Sequence, residues 1–437
     1  MLQPKVCPKV RPKARPLADT NKKTVVVIGA GMVGVCAASY IQRAGHDVVI
    51  VDPNPPGEGA SFGNAGCINP SSVVPIAGPD TLKKVPGYLL DPLGPLAIRW
   101  SYLPRIAPWL LRYAYAGSSS ARVEKQADAL KTLLWSSFDY LMPLVQNAHA
   151  DQLVKRNGIL IVYRSERGWQ SDERAWNIRK RAGVVWHDLN ADELRQFDPS
   201  LSRNLIRAKH VAGNGHTVDP GGLVKALASA VAADGGKIVR AKATGFKIEN
   251  GKLRAVATET GEIPADAAVI AAGAYSKTLA AQAGDTVPLE TERGYHLVVR
   301  NPEAMPRVPT TDSEFSFVAT PMSGGLRLAG TVELAGLNAK PNWQRSRMLL
   351  ARAANLFQNL SPIVPEDRLS MWMGHRPSLP DSLPVLGRSS RSADIIHAFG
   401  HQHVGMTAAP YTGHVVAELV SGRPSPIDLS PFRPDRF

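Results

Sequence analysis

One stretch constrains this chain more than any other: Thr24 to Asp52, TVVVIGAGMVGVCAASYIQRAGHDVVIVD. An apolar strand (Val25, Val26, Val27, Ile28) runs into a glycine turn, a helical pattern follows, and a second strand (Val48 to Val51) ends in an acid. Gly29 lets the strand break into a tight turn, Gly31 lets backbone approach a pyrophosphate, and Gly34 lets the helix pack on the sheet. The first helical N–H groups, at Met32 and Val33, and the positive end of the helix dipole face the phosphates. Asp52, about 23 residues after Gly29, stands where a carboxylate accepts hydrogen bonds from ribose hydroxyls. Three spaced glycines alone are weak evidence, and a buried helix–strand contact would also use them. Strand, turn, helix, strand and acid in order make a dinucleotide site the expectation, with NAD, NADP and FAD all open.

The 437 residues, 44% of them hydrophobic, suffice for about two domains. A formal charge of +14 invites a polyanion partner, but its distribution weakens that idea. Residues 1 to 23 hold seven Lys and Arg against one Asp, so about +6 lies in a tail repeating PKVC, PKVR, PKAR. Its prolines block the amphipathic helix of a transit peptide, and it lacks the apolar run of a secretory signal. The tail is expected to be disordered, with a membrane or polyanion tether as the alternative; nucleic acid is not an expected partner. Cys7, Cys36 and Cys67 are too few and scattered for a disulfide framework or metal cluster. No apolar run is long enough to cross a bilayer. The expected location is cytoplasmic, with peripheral contact at the inner face of the membrane as an option.

After Asp52, PNPPGEGASFGNAGCINPSS is loop chemistry, and so long a glycine-rich loop suits a protein wrapping a larger cofactor than NAD. Ser61, Asn64, Ala65 and Gly66 can bring polar and backbone groups near phosphates and a flavin ring; Cys67 reads as a small buried thiol or a ring neighbour. Residues 85 to 115 combine Trp100, Trp109, Tyr102, Tyr113 and Tyr115 with Arg99, Arg105 and Arg112. They read either as short helices on a substrate domain or as an interfacial surface. Residues 121 to 148 show one amphipathic helical pattern. Helix starts are predicted at Asn190 with Glu193 and at Asp219 with Pro220, and a hairpin at Ser323 to Gly325. A buried strand, Ala267 to Ala271, leads to Gly273, where backbone can approach a cofactor. Near the end, strand Ile395 to Phe399, a glycine loop and a helix form another nucleotide-domain segment.

Taken together, VVVIGAGMVG with IVD, ASFGNAG, HTVDPGGL, RGYHLVV, and HRPSLPDSLPVLG with AFGHQHVGMTAAP resemble the FAD-dependent D-amino-acid oxidase superfamily. Within it they are most similar to the bacterial D-amino-acid dehydrogenase branch, which includes hydroxyproline-type enzymes. The resemblance spans residues 24 to 422 and implies an α/β fold: an FAD-binding Rossmann-type domain interleaved with an α+β substrate domain on a mostly antiparallel sheet. The implied FAD domain is 24–80, 208–285 and 366–425, and the substrate domain 81–207 and 286–365.

Carried over residue by residue, the resemblance places Gly29, Gly31, Gly34 and Asp52 at the ADP half of FAD. Ser61, Asn64 and Ala65 fall beside the flavin, and Gly273 against the cofactor. Arg376 corresponds to the arginine that holds the substrate carboxylate, for which a planar guanidinium fork is suited; a structural ion pair is the alternative. Tyr295 would be an active-site hydroxyl or a core tyrosine, and Arg293 and His296 are weaker contact candidates. Gly400 to Met406 would set a helix N-terminus under the flavin, where His403, Val404, Gly405, Met406 and Thr407 meet the charge that reduction creates. The implied reaction is hydride transfer from Cα of a D-amino acid or D-hydroxyproline-like imino acid to flavin N5, with electrons passed to a quinone or other carrier. Three alternatives stay open: an oxygen-using glycine or sarcosine-type oxidase, an L-amino-acid dehydrogenase, or a flavin-bearing binding subunit. No metal site is expected.

Overall fold

The computed structural model describes residues 22–78, 94 and 96–437. Nearly all of the basic tail, and 85–93 and 95 of the aromatic stretch, lie outside the described residues. Branched apolar runs form the first sheet, whose strands are covered on both faces as parallel strands require. Its order is Lys237–Arg240, Asp47–Asp52, Thr24–Ile28, Ala267–Ile270, Ile395–Phe399, Val385–Arg388, parallel except for the last edge strand. Alternation along Thr24–Ile28 divides two cores. Val25 and Val27 join the helix layer, while Val26 and Ile28 join the side of the antiparallel meander Ala243–Pro264.

The second sheet runs Leu369–Ser378, Glu290–Val299, Gly325–Leu334, Phe317–Met322, Thr310–Asp312, Ile159–Tyr163, Arg207–Val211, His187–Asn190. Leu96–Ile98 adds in parallel to Gly325–Leu334, and the sheet is otherwise antiparallel except where Thr310–Asp312 meets Ile159–Tyr163. Its core lies under helix Gln344–Leu356.

Local signals come out as expected. Asn190 and Glu193 form a capping box, the Asp219 side chain accepts from Gly222 N at 2.9 Å, and Met322 pairs with Gly325 across the hairpin. Domain membership shifts in three places. Arg207–Val211 and Leu369–Ser378, expected in the FAD domain, are strands of the second sheet. The single helix expected over 121–148 is two, Ser120–Leu134 and Ser137–Asn147. Their apolar faces pack in the nucleotide-domain core with Met32–Arg43 and Gly405–Val420, not in the substrate domain. Periodicity reports that a helix has an apolar face; it does not report which partner covers it.

Candidate active site

The two sheets enclose a cavity of about 1940 Å³, lined by the ends of strands Thr24–Ile28, Asp47–Asp52 and Ala267–Ile270, the loop 58–69, the three long strands of the second sheet, and 398–407. That is well above the span usual for a small-molecule pocket, and fits a dinucleotide together with a small substrate. At its nucleotide end Gly29 has φ +116°, and a Cβ there would sit 2.3 Å from the Ala271 carbonyl oxygen. A Cβ at Gly34 would fall 1.8 Å from the Gly29 carbonyl oxygen, so the turn and helix pack as the sequence requires. Asp52 accepts from Ala30 N and from Asn54 N, each at 2.8 Å, which fixes its carboxylate at the strand end. Ser61 Oγ accepts from Met32 N at 3.0 Å, so one of the helix N–H groups expected for phosphate already has a side-chain partner.

The loop beside the flavin position is gripped from the substrate sheet. Arg327 Nη1 donates to the carbonyls of Phe62 (3.1 Å) and Asn64 (2.7 Å), and His296 Nδ1 bonds the Gly63 carbonyl at 3.0 Å. Burial, helped by the Arg327 charge, lowers His296 to about 4, so the ring is neutral; its carbonyl partner puts the hydrogen on Nδ1. Trp372 stacks on His296 with centroids 5.2 Å apart and fills the space over Gly63. Asn64 Oδ1 accepts from Gly66 N at 2.8 Å, and Ala65 and Cys67 line the cavity. Burial pushes the Cys67 thiol up to about 12, so it is not a thiolate.

At the opposite wall, Val404 caps helix Gly405–Val420. Thr407 N donates to Val404 O (3.0 Å) and its hydroxyl accepts from Asn69 N (2.9 Å), and Gly405, Met406 and Thr407 all line the cavity. Gly273 and Gly400 line the cavity with left-handed φ of 55° and 89°. His403 is exposed to the cavity, beside the Arg376 charge.

Arg376 sits across from Glu292 in the antiparallel pair of long strands, so both project from the same face. The arginine lies flat over Gly294, where a Cβ would be 2.5 Å from its Cζ, and Nη1 reaches Thr331 O at 3.1 Å. Thr331 is the extra residue of a β-bulge between the Tyr295–Gly330 and Arg293–Glu333 pairs, with φ +61°. This is a costly conformation for a β-branched residue, of the kind that collects at working sites. Among the described residues no carboxylate lies within the 4.0 Å ion-pair distance of Arg376. The guanidinium is half-buried, with its open side on the cavity.

The other predicted side chains do different work. Tyr295 forms part of the wall, but its hydroxyl donates to Glu333 Oε2 at 2.5 Å and accepts from Asn342 N at 3.0 Å. Arg293 is fully buried, pairs with Glu333 at 2.9 Å and holds the Ala339 carbonyl at 2.8 Å. Neither Arg293 nor His296 lines the cavity. Sequence reasoning missed Glu292, Gly294, Thr331 and Trp372; the Gly next to Arg293 was the one legible signal. Tyr102, read from the sequence only as one of an aromatic set, has its hydroxyl donating to Glu290 at 2.9 Å beside the cavity. Among the described residues no group of three or more His, Cys, Asp or Glu is placed to hold a metal ion.

Residues 24–419 match the family described as FAD dependent oxidoreductase. The chain belongs to that family. Curated relatives include a D-amino-acid oxidase from Bradyrhizobium diazoefficiens, 49% identical over 94% of this chain and 98% of its own. A D-amino acid dehydrogenase from Paramagnetospirillum magneticum is 34% identical over 94% of this chain and 98% of its own. Glycine oxidase from Geobacillus kaustophilus shares the fold at TM-score 0.71 and 23% identity, covering 96% of this chain and 100% of that one. L-proline dehydrogenase from P. horikoshii does so at TM-score 0.71 and 19% identity, covering 95% and 98%. The chain is thus an FAD-dependent oxidoreductase. The glycine turn, Asp52 and the long cavity form a cradle that fits FAD.

Proposed function

We propose that the enzyme oxidatively deaminates D-amino acids, including hydroxyproline-like imino acids, and passes the electrons to a quinone or other non-oxygen carrier. The observation that carries the reading is Arg376: a guanidinium opening on the cavity, oriented by a backbone carbonyl and left without a carboxylate partner. Such a fork pairs a substrate carboxylate bidentately. Anchoring that carboxylate holds Cα at a fixed height over the flavin position, and orientation of this kind is a large share of catalysis in such sites. FAD, when bound, accepts the two electrons and the hydrogen that leave Cα. Trp372, the clamped loop and the wall at Tyr295 shape the space and exclude water. Gly405 and Met406 offer a helix N-terminus to the negative charge that builds on reduction. The imino product hydrolyses to a 2-oxo acid and needs no protein nucleophile.

Handedness is supported by the names of relatives that align over 94% of the chain. A second reading of the acceptor, molecular oxygen, is favoured by the oxidase name of the 49% relative. Turnover of D- and L-amino acids, prolines and N-methyl amino acids with an artificial dye, beside an oxygen-electrode trace, tests both points. We expect dye reduction with D-substrates and little oxygen uptake; L-selective turnover would overturn the assignment of handedness.

We also infer a lipid surface as a partner. Helix Leu103–Ala116 buries Ile106 and Trp109 but exposes Leu111 (73%) and Tyr115 (65%), in line with Trp100 (69%) just before it. Arg112, exposed beside Leu111, and Arg122, whose guanidinium lies 3.9 Å over the Tyr115 ring, give this stripe a basic edge that matches anionic headgroups, while Arg99 and Arg105 line the cavity. Flotation with phosphatidylglycerol vesicles, lost on Leu111→Glu, is the expected result; equal flotation of that variant would refute it. No helix among the described residues is long and apolar enough to cross a membrane.

A further inference from the structure

An amino acid at neutral pH is a zwitterion, and Arg376 answers only its carboxylate. Glu292 stands directly opposite Arg376 in the strand register, on the same face and in the same cavity. It is 5% exposed, yet the two opposite charges form no ion pair with each other. A buried carboxylate without a cationic partner is costly, and a buried cation beside a separate buried anion is a geometry that either closes on itself or awaits a ligand of matching charges. Here closure is prevented by the backbone. Arg376 is laid flat over Gly294 and drawn toward Thr331 O on the strand beyond, away from Glu292.

Resting on the amino-acid reading above, we propose that Glu292 receives the substrate ammonium and takes its proton, with Arg376 holding the carboxylate at the other end. One N–H bond of the ammonium breaks and an O–H bond forms on the Glu292 carboxylate. The amine is left with the lone pair that becomes the second bond of C=N when Cα loses its hydrogen and electron pair to the FAD of the holoenzyme. The Glu292 proton then passes to solvent as the product leaves. Among the described residues, the groups facing Glu292 are Arg376 and the Ser378 hydroxyl on the neighbouring strand, Tyr113 from the covering helix, and Glu290 two residues back, already bonded to Tyr102. Burial raises the Glu292 carboxyl above the usual range, against the smaller opposing pull of the Arg376 charge and the Ser378 hydroxyl. The result is a better proton acceptor than an exposed glutamate, in keeping with the tuning expected of a general base.

Two ligands without a Cα hydrogen separate the parts of this claim in the intact holoenzyme. 2-Aminoisobutyrate carries both charges, and 2-hydroxyisobutyrate lacks the ammonium. Titration of the flavin absorbance gives a Kd for each. The wild type is expected to bind the amino ligand at least about tenfold more tightly, since a charged hydrogen bond contributes on that order. Glu292→Gln should erase that preference while leaving the hydroxy ligand unchanged, and Arg376→Ala should weaken both. In turnover, Glu292→Gln should lower kcat/KM at pH 7 by about 10²-fold, the lower end for a lost acid–base group. Its kcat/KM should climb with pH as free substrate amine accumulates, a profile a merely structural glutamate would not produce. Equal affinities of the wild type for the two ligands, or a Glu292→Gln enzyme with wild-type preference and pH profile, would overturn the proposal. Loss of both ligands only in Arg376→Ala would then leave the carboxylate reading standing by itself.

Discussion

At the scale of single residues, the site depends on how one arginine is held. A long flexible side chain loses much rotamer freedom when fixed, and Arg376 is fixed by shape, lying over a glycine and ending on a carbonyl turned out by a bulge. Gly294→Ala places a methyl 2.5 Å from Cζ and must push the guanidinium off its position. We expect KM for the amino acid to rise about tenfold or more, with FAD content unchanged; an unaltered KM would show that the arginine tolerates the shift. The place of Arg376 on the cavity wall was legible, because an HRP triplet before PDSLP carries a recognisable position. Glu292 and Thr331 were not, since what distinguishes them is a cross-strand partner and a positive φ, and neither is written in local sequence. Arg293, Tyr295 and His296 were read from the same RGYH run. Alternation along the strand sends Arg293 and Tyr295 to the face opposite Arg376, where both bond Glu333, while His296 is taken up by the flavin-side loop.

Among elements, the loop 61–66 is the joint between the domains. Its carbonyls would face water or cofactor unguided, and Arg327 and His296 restrain three of them. Arg327→Met keeps much of the apolar stem but removes charge-assisted bonds of about 1.5–3 kcal/mol each. FAD affinity is therefore expected to fall at least about tenfold, by fluorescence titration of apoprotein, with the fold retained by circular dichroism; unchanged affinity would mean that the loop holds itself. Helix starts and the hairpin were readable because caps and turns are local chemistry. The assignment of strands Arg207–Val211 and Leu369–Ser378 to a sheet was not, because an apolar strand does not specify its neighbour.

For the whole molecule, three buried histidines, His216, His296 and His401, are each lowered by burial from 6.5 to about 4. Below pH 6.5 the unfolded chain takes up these protons while the folded chain stays neutral until about pH 4. Folding stability should therefore fall as pH drops through that window, by about 1.4 kcal/mol per pH unit for each histidine. His401→Gln, which can keep a bond to Thr412, should flatten the pH dependence of Tm between 6.5 and 4.5; an identical slope would contradict neutral burial at that position. The interleaved two-domain plan was visible from the order of motifs along residues 24 to 422, and the cavity lies where the strand ends of one sheet meet the long strands of the other. Function depends above all on the cavity holding an amino acid by its carboxylate on Arg376, as proposed. The most direct measurement is turnover of purified Arg376→Ala holoenzyme across a D-amino-acid panel, with its flavin spectrum recorded in parallel. We predict a normal bound-flavin spectrum with kcat/KM reduced by about 10³-fold, the scale of a lost bidentate charge pair; wild-type turnover by that variant would contradict the account.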